Sequence, residues 1–247
     1  MKIFAVSDLH SFFNETQEAL SAAGFNPEDE NHLLVVCGDA FDRGPDSVKM
    51  LEWLLSLERL VYVKGNHDIL IQDMLKRGYA LWHDRHNGTE KTFYHLANEY
   101  ANDIYAHVDA YTKVRDVFQP LYDNMVNYFE TKHYVFCHGF LPTVDTVDGV
   151  KINRQWRRAS QKNWEDAMWK NGMGMIDYGL YLKNKTIIVG HWHASWGHAQ
   201  FEGKPEWDEG ADFSPFYYED KLIRIDACTA HTGKVNVLVL EDDLLDG

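Results

Sequence analysis

Cysteine is scarce in this chain. Cys37, Cys137 and Cys228 are the only three in 247 residues, and no pair has the Cys-x-x-Cys spacing of a thiolate zinc site. The count is odd and each thiol lies in or beside a β-prone run, which fits buried reduced cysteines better than a disulfide framework. Cations are also few: Lys plus Arg number 24 against 38 for Asp plus Glu, a formal net charge of -14. That balance disfavours nucleic acid or an anionic membrane as a partner. No apolar run approaches membrane-spanning length. The start is apolar only from Met1 to Val6 before Ser7 and Asp8, too short for a secretory segment, so a cytoplasmic protein is expected. Internal repeats, low-complexity tracts and linker-like stretches are missing as well. A single domain over residues 1–247 is therefore expected.

Hydrophobic residues make up 45% of the chain, enough to bury a substantial core. The stretch around which the rest is organised is Gly38-Asp39-Ala40-Phe41-Asp42-Arg43-Gly44, which follows the apolar run Leu33 to Cys37. It reads as a buried strand breaking at a glycine, with carboxylates and a guanidinium at its C-terminal end. Desolvated carboxylates repel one another unless cations compensate them, so a positive group is expected there. The plainer alternative is a polar turn with a structural Asp–Arg pair.

Other strand-like runs end in the same way. Lys2 to Val6 leads to Asp8 and His10, with Asn14 read as the cap of a following helix, and Leu60 to Val63 leads to Gly65-Asn66-His67-Asp68. Pro45 and Asp46 begin a helix with apolar residues at helical spacing. The β-α-β-α-β order predicts a largely parallel sheet with these ends along one edge. From Ile69 to about Lys132 the pattern is helical and aromatic, a helical insertion whose histidines His83, His86, His95 and His107 lack motif context. Beyond it, His133 to Phe136 leads to His138-Gly139, and Lys185 to Val189 leads to Gly190-His191-Trp192-His193. Ile223 to Ala227 and Val235 to Leu240 read as closing strands, and the acidic tail Glu241 to Gly247 as a solvated, frayed end.

Carboxylate, imidazole and carboxamide donors without thiolate suit Mn²⁺, Fe or Zn²⁺. Two such ions roughly 4 Å apart can share one carboxylate, activate a water and clamp phosphoryl oxygens. The five motifs Asp8-x-His10, Gly38-Asp39-x-x-Asp42-Arg43-Gly44, Gly65-Asn66-His67-Asp68, His138-Gly139 and Gly190-His191-x-His193, in this order, resemble those of the calcineurin-like metallophosphoesterases. The Asp42-Arg43-Gly44 ending resembles the branch that holds serine/threonine phosphoprotein phosphatases and symmetrical diadenosine tetraphosphatases.

The resemblance implies an α/β fold of two packed mixed β-sheets flanked by helices, with a helical insertion around 69–132. It implies two divalent metal ions, Mn²⁺ first, with Fe or Zn²⁺ as alternatives. Asp8, His10 and His193 would hold the first ion and Asn66, His138 and His191 the second, with Asp39 bridging both. His67 would be the general acid oriented by Asp42, and Arg43 a phosphate-binding fork. Asp68 reads as a helix cap or a support for His67, with the cap slightly ahead. The branch also implies a further phosphate-binding arginine, for which Arg154, Arg157 and Arg158 are candidates; surface pairing with acids is the equal alternative. Trp156, Trp164 and Trp169 read as core ahead of pocket wall.

Four neighbours depart from the protein-phosphatase form: Ser7 and Ser11 in place of glycines, Asp68 in place of glutamate and Phe140 in place of glycine. These shape a pocket rather than hold ions. The expected activity is metal-dependent hydrolysis of phosphomonoesters, protein phosphatase-like, on a phosphorylated protein or a small phosphoester. Hydrolysis of a dinucleoside polyphosphate is the alternative. A metal-binding scaffold without catalysis is the remote one, since all the ligand and acid positions are present.

Overall fold

The computed structural model describes residues 1–101 and 107–244, with the backbone alone for 107 and 108. In the first half, β1 (Lys2–Val6), α1 (Phe13–Ala22), β2 (His32–Cys37), α2 (Ser47–Ser56), β3 (Leu60–Val63) and α3 (Asn66–Arg77) alternate, followed by α4 (Trp82–Asn87), α5 (Thr89–Tyr100) and α6 (His107–Asp123). The second half holds β4 (Phe129–Glu130), β5 (Tyr134–Phe136), the hairpin β6 (Thr143–Thr146) and β7 (Gly149–Ile152), α7 (Gln161–Met168), α8 (Gly172–Asp177) and β8 (Thr186–Val189). It closes with α9 (Ala194–Glu202), β9 (Phe216–Tyr218), β10 (Leu222–Arg224), α10 (Thr229–Thr232) and β11 (Leu238–Glu241).

One sheet has the order β11-β1-β2-β3 and the other β4-β5-β8-β10-β9. Both are mixed: β1, β2 and β3 run parallel with β11 antiparallel at the edge, and β5, β8 and β10 run parallel with β4 and β9 antiparallel. Side chains alternate across a strand, and here both faces are covered. Ile3, Ala5, Leu33 and Val35 point to the second sheet and meet Phe136, Ile188 and Ile225, whereas Phe4, Val6, Leu34 and Val36 point to the helices of the first half. This is why β1 and β2 read as unbroken apolar runs. Burying each Val, Leu, Ile or Phe among them contributes about 2 kcal/mol. A third cluster, around Trp156, Trp164, Met173 and Leu222, packs α7 and α8 on the outer face of the second sheet.

The helical insertion runs through α3 to α6, but the segment after it is not wholly helical. Val126 bridges Val63, and β4 pairs with β5 through two residues, too short a strand to leave a periodic signature. Helix α1 begins at Phe13 with Phe12 at the cap position and no side-chain cap bond, so Asn14 does not cap it; Thr16 Oγ1 donates to the Phe12 carbonyl at 2.7 Å. The acidic tail is also better fixed than expected. Asp242 is buried and accepts hydrogen bonds from Thr131 Oγ1 at 2.7 Å and the His133 amide at 2.8 Å. Residues 245–247 of that tail and Tyr105 of the insertion lie outside the described residues. No helix among the described residues is long and apolar enough to cross a membrane.

Candidate metal centre

The C-terminal ends of β1, β2, β3, β5 and β8 converge, because each sheet keeps these strands parallel. Hydrogen bonds stitch the ends together: Asp8 N donates to Gly38 O at 3.1 Å, His10 N to Asp39 O at 3.0 Å and Gly190 N to His138 O at 2.8 Å. The chain must turn sharply here to aim its side chains at one point. Of nine non-glycine residues with left-handed φ among those described, seven are Asp8, His10, Ser11, Asp39, Asp42, Arg43 and His191. Such conformations cost of order 1 kcal/mol or more each and collect at functional sites. Gly65 keeps an ordinary extended φ of -104° but has no room for a side chain, since a Cβ would run into the Asp39 carboxylate.

Two groups of donor atoms share Asp39: His10, Asp39 and His67, and Asp39, His138 and His191, with the donors of each group within 4.8 Å of one another. The imidazoles are set for ligation. His10 Nδ1 donates to the Phe41 carbonyl at 2.8 Å and His138 Nδ1 to the Cys37 carbonyl at 2.7 Å, which aims both Nε2 atoms inward. His138 Nε2 lies 2.8 Å from Asn66 Oδ1 and 3.2 Å from Asp39 Oδ2. Asp8 Oδ2 accepts the His191 amide at 2.9 Å. Divalent cations fit this donor set: inward imidazole nitrogens, a carboxamide oxygen and the two buried carboxylates Asp8 and Asp39.

The electrostatics point the same way. Burial, followed by the neighbouring Asp226, drives the Asp8 carboxyl well above its usual range. Burial and the Arg43 guanidinium hold His10 well below its usual range, and burial with His138 lowers His191 to about 3. Burial pushes Asp39 up, but His138 and His67 outweigh it and hold it ionised; the same pairing raises His138 against its own burial penalty. A cation would relieve Asp8 and meet neutral imidazoles at His10 and His191.

His67 opens α3 at the rim, and its Nδ1 lies 2.7 Å from Asp42 Oδ2. Sequence reading missed the residues that hold this carboxylate. Thr89 Oγ1 donates to Asp42 Oδ2 at 2.7 Å and Thr92 Oγ1 to Oδ1 at 2.8 Å, both from the first turns of α5. Lys91 Nζ, from the same helix, donates to the Arg43 carbonyl at 2.8 Å. The helical insertion therefore buttresses the Asp42-Arg43 turn. Arg43 is exposed at the rim, and its fork reaches His10 Nε2 at 2.9 Å and His67 Nε2 at 3.0 Å. Of the two roles considered for it, Asp68 takes the cap: Oδ2 accepts the Gly65 amide at 2.8 Å, and its further contact is to the Asp39 amide at 3.2 Å rather than to His67.

His193 is not brought into either group. Its Nδ1 bonds Ser195 Oγ at 2.8 Å, its Nε2 lies 3.4 Å from Glu206 Oε1, and its ring packs against Trp207 at 4.2 Å. Two residues of the closing strand region, read only as β-prone, stand beneath the centre instead. Asp226 is a buried neighbour of Asp8, and Arg224 is fully buried, donating to Asn171 Oδ1 at 2.5 Å and to the His193 carbonyl at 3.3 Å, with Nε unpartnered among the described residues. Trp156 and Trp164 are core, but Trp169 is 53% exposed and sits edge-on to His191 at 5.9 Å. Of the three candidate arginines, Arg157 is committed to Glu130 through a two-pronged contact at 2.6 and 2.5 Å.

Residues 1–234 match the calcineurin-like phosphoesterase family, Metallophos. The chain belongs to that family. The symmetrical bis(5'-nucleosyl)-tetraphosphatase of Pseudomonas syringae pv. syringae is 40% identical over 88 residues, 33% of this chain and 30% of that protein. The same-named protein of Buchnera aphidicola from Schizaphis graminum is 39% identical over 70 residues, 28% of this chain and 25% of its own length. The matches thus span about a quarter to a third of these relatives. Solved structures agree in fold. A provisionally assigned diadenosine tetraphosphatase has a TM-score of 0.55 at 15% identity, with 100% of this chain and 95% of that chain covered. A serine/threonine phosphatase from Saccharomyces cerevisiae has a TM-score of 0.51 at 11% identity, covering 100% and 81%.

Proposed function

We propose that this chain is a two-metal phosphoester hydrolase. The observation that carries the proposal is the pair of donor groups sharing Asp39 beside a histidine bonded to a buried carboxylate. Asp8, His10 and Asp39 would hold one cation, and Asp39, Asn66, His138 and His191 the other. His193 would join the first by turning its ring away from Ser195 and Glu206. Divalent ions, Mn²⁺ ahead of Fe or Zn²⁺, supply Lewis acidity that lowers the pKa of a water and neutralises phosphoryl oxygens.

The chain's own groups do the rest. Asp42 keeps the His67 ring fixed through Nδ1, so a proton on Nε2 faces the rim and is delivered to the leaving oxygen. Arg43 pairs its planar fork with phosphoryl oxygens once His67 is protonated and no longer accepts from it. The flanking glycines and left-handed turns hold these groups in place before substrate arrives. The enzyme acts as one domain in the cytoplasm, in keeping with its three free cysteines.

The substrate we propose first is a dinucleoside polyphosphate, reversing the order expected from sequence. What supports it is the exposed indole surface beside the centre, Trp169 at 5.9 Å and Trp192 at 6.5 Å from the His191 ring, where a purine can stack. The similarity to symmetrical tetraphosphatases adds to it. A phosphorylated serine or threonine is the second reading, favoured by the exposed position of Arg43. The test is product analysis of the Mn²⁺-loaded chain given diadenosine tetraphosphate and a phosphoserine peptide together. Preferential adenosine nucleotide formation supports the first reading, preferential phosphate release from the peptide the second, and turnover of neither with metal bound overturns the hydrolase proposal for both classes.

A further inference from the structure

A groove of about 520 Å³, lined by none of the proposed metal ligands, opens between the end of β3, the segment leading into β4 and the start of α7. Its volume lies within the range of small-molecule sites. The floor is aromatic: Tyr128 stacks on Trp164 with centroids 5.2 Å apart and planes 15° from parallel. Lys64 reaches in from one side. It forms no ion pair or side-chain hydrogen bond among the described residues and rests its ammonium 4.5 Å from the Tyr122 ring centroid. Asp68, Glu165 and Asp123 act on it only through longer-range attraction.

On the other side, Glu130 is met by both Arg157 and Lys185, at 2.5 and 2.9 Å, so this acid is more than neutralised. In a chain of net charge -14, the groove walls thus carry an excess of positive charge. Asn127 supplies a third feature. Its Nδ2 donates to Gln161 Oε1 at 3.1 Å, while its buried Oδ1 accepts nothing among the described residues. Asn127 lines the groove, so a turn of its amide presents this open acceptor to a ligand donor.

We propose that this groove binds a small organic anion bearing a planar ring. The anionic group pairs with the Lys64 ammonium, a ring or sugar donor bonds Asn127 Oδ1, and the ring lies against Tyr128, which the buried Trp164 backs. A phosphate or a carboxylate serves as the anion. The site stands independently of the proposed hydrolase activity, since none of its residues belongs to the metal centre.

Calorimetric titration of the full metal-loaded chain tests it, with adenosine monophosphate, indole-3-acetate and inorganic phosphate as probes. Wild type, Lys64→Met, Ala159→Trp, which fills the groove, and Asp39→Asn, which cripples the metal centre, are compared. Binding of either ring-bearing anion, weakened at least tenfold by Lys64→Met or Ala159→Trp and kept within twofold by Asp39→Asn, is the expected result. The monophosphate alone would mark an organic phosphate, and the indole acid alone a carboxylate. Loss in Asp39→Asn with retention in the groove variants assigns the ligand to the metal centre and overturns the proposal. Equal binding of inorganic phosphate, or binding of none of the three, overturns it too.

Discussion

His67 Nδ1 and Asp42 Oδ2 lie 2.7 Å apart with both groups buried, and the carboxylate's remaining demand is met by Thr89 and Thr92, 47 and 50 residues further along the chain. Burial alone would lower the His67 pKa, but Asp39 and the bond to Asp42 raise it above the ordinary histidine value. A raised folded pKa means that the protonated pair stabilises the fold below the ordinary value and loses that contribution as pH rises through the folded one. Asp42→Asn keeps the shape and removes the charge. The basic limb of kcat is expected to move to lower pH by roughly one unit, with KM little changed. A pH–rate profile checks this, and a basic limb that stays in place would remove Asp42 from the role.

Arg224 ties together two loops at the metal centre. Its guanidinium bonds Asn171, which caps α8, and the His193 carbonyl, which follows His191. Replacing it with Met strips two acceptors of a charged donor and removes a cation from beside Asp226, at an expected cost of about 3 kcal/mol. Arg224→Lys restores less than half, because an ammonium cannot span both acceptors. Urea unfolding reads the stability, and Mn²⁺ affinity, expected to fall in the Met variant, reads the effect on the centre. An Arg224→Met protein with unchanged stability and affinity would contradict this.

Asp242 gives the chain an acid-sensitive seam. Burial pushes its carboxyl up, but bonds from Thr131 and His133 outweigh that and lower it to about 2. A depressed folded pKa contributes stability above the unfolded value, about 4, and loses it as pH falls through about 2. Asp242→Asn is therefore expected to lower Tm at pH 7, with the gap to wild type closing on acidification between those limits. Melting curves across that range check it, and a gap constant with pH would sink the assignment.

Much of the candidate centre was legible because its residues fall within a few positions of the end of an apolar β run: Asp39 after Cys37, Asn66 after Val63, His138 after Phe136. Once β1 and β2 are parallel, their ends must share an edge, which brings Asp8 to Asp39; His191 follows β8 of the other sheet and joins them only through the packing of the two sheets. What was not legible depends on long-range packing. Thr89 and Thr92 sit in an amphipathic helix with nothing local to mark them. Arg224 looks like an ordinary surface cation in a strand until the second sheet buries it. The outward turn of His193 follows from Ser195, Glu206 and Trp207 competing for its ring, and Trp169 leaves the core because α7 ends just before it. Asp242 read as tail because its partners, Thr131 and His133, are more than a hundred residues away.

The central claim is tested most directly by adding Mn²⁺ back to the chelator-treated chain and measuring bound metal and p-nitrophenyl phosphate turnover together. Two ions per wild-type chain are expected, with turnover rising as the second binds. Asp39→Asn is expected to lose at least one ion and at least a hundredfold in kcat. A wild-type chain that turns over at full rate without metal, or an Asp39→Asn chain that keeps both ions and full activity, would contradict the two-metal account.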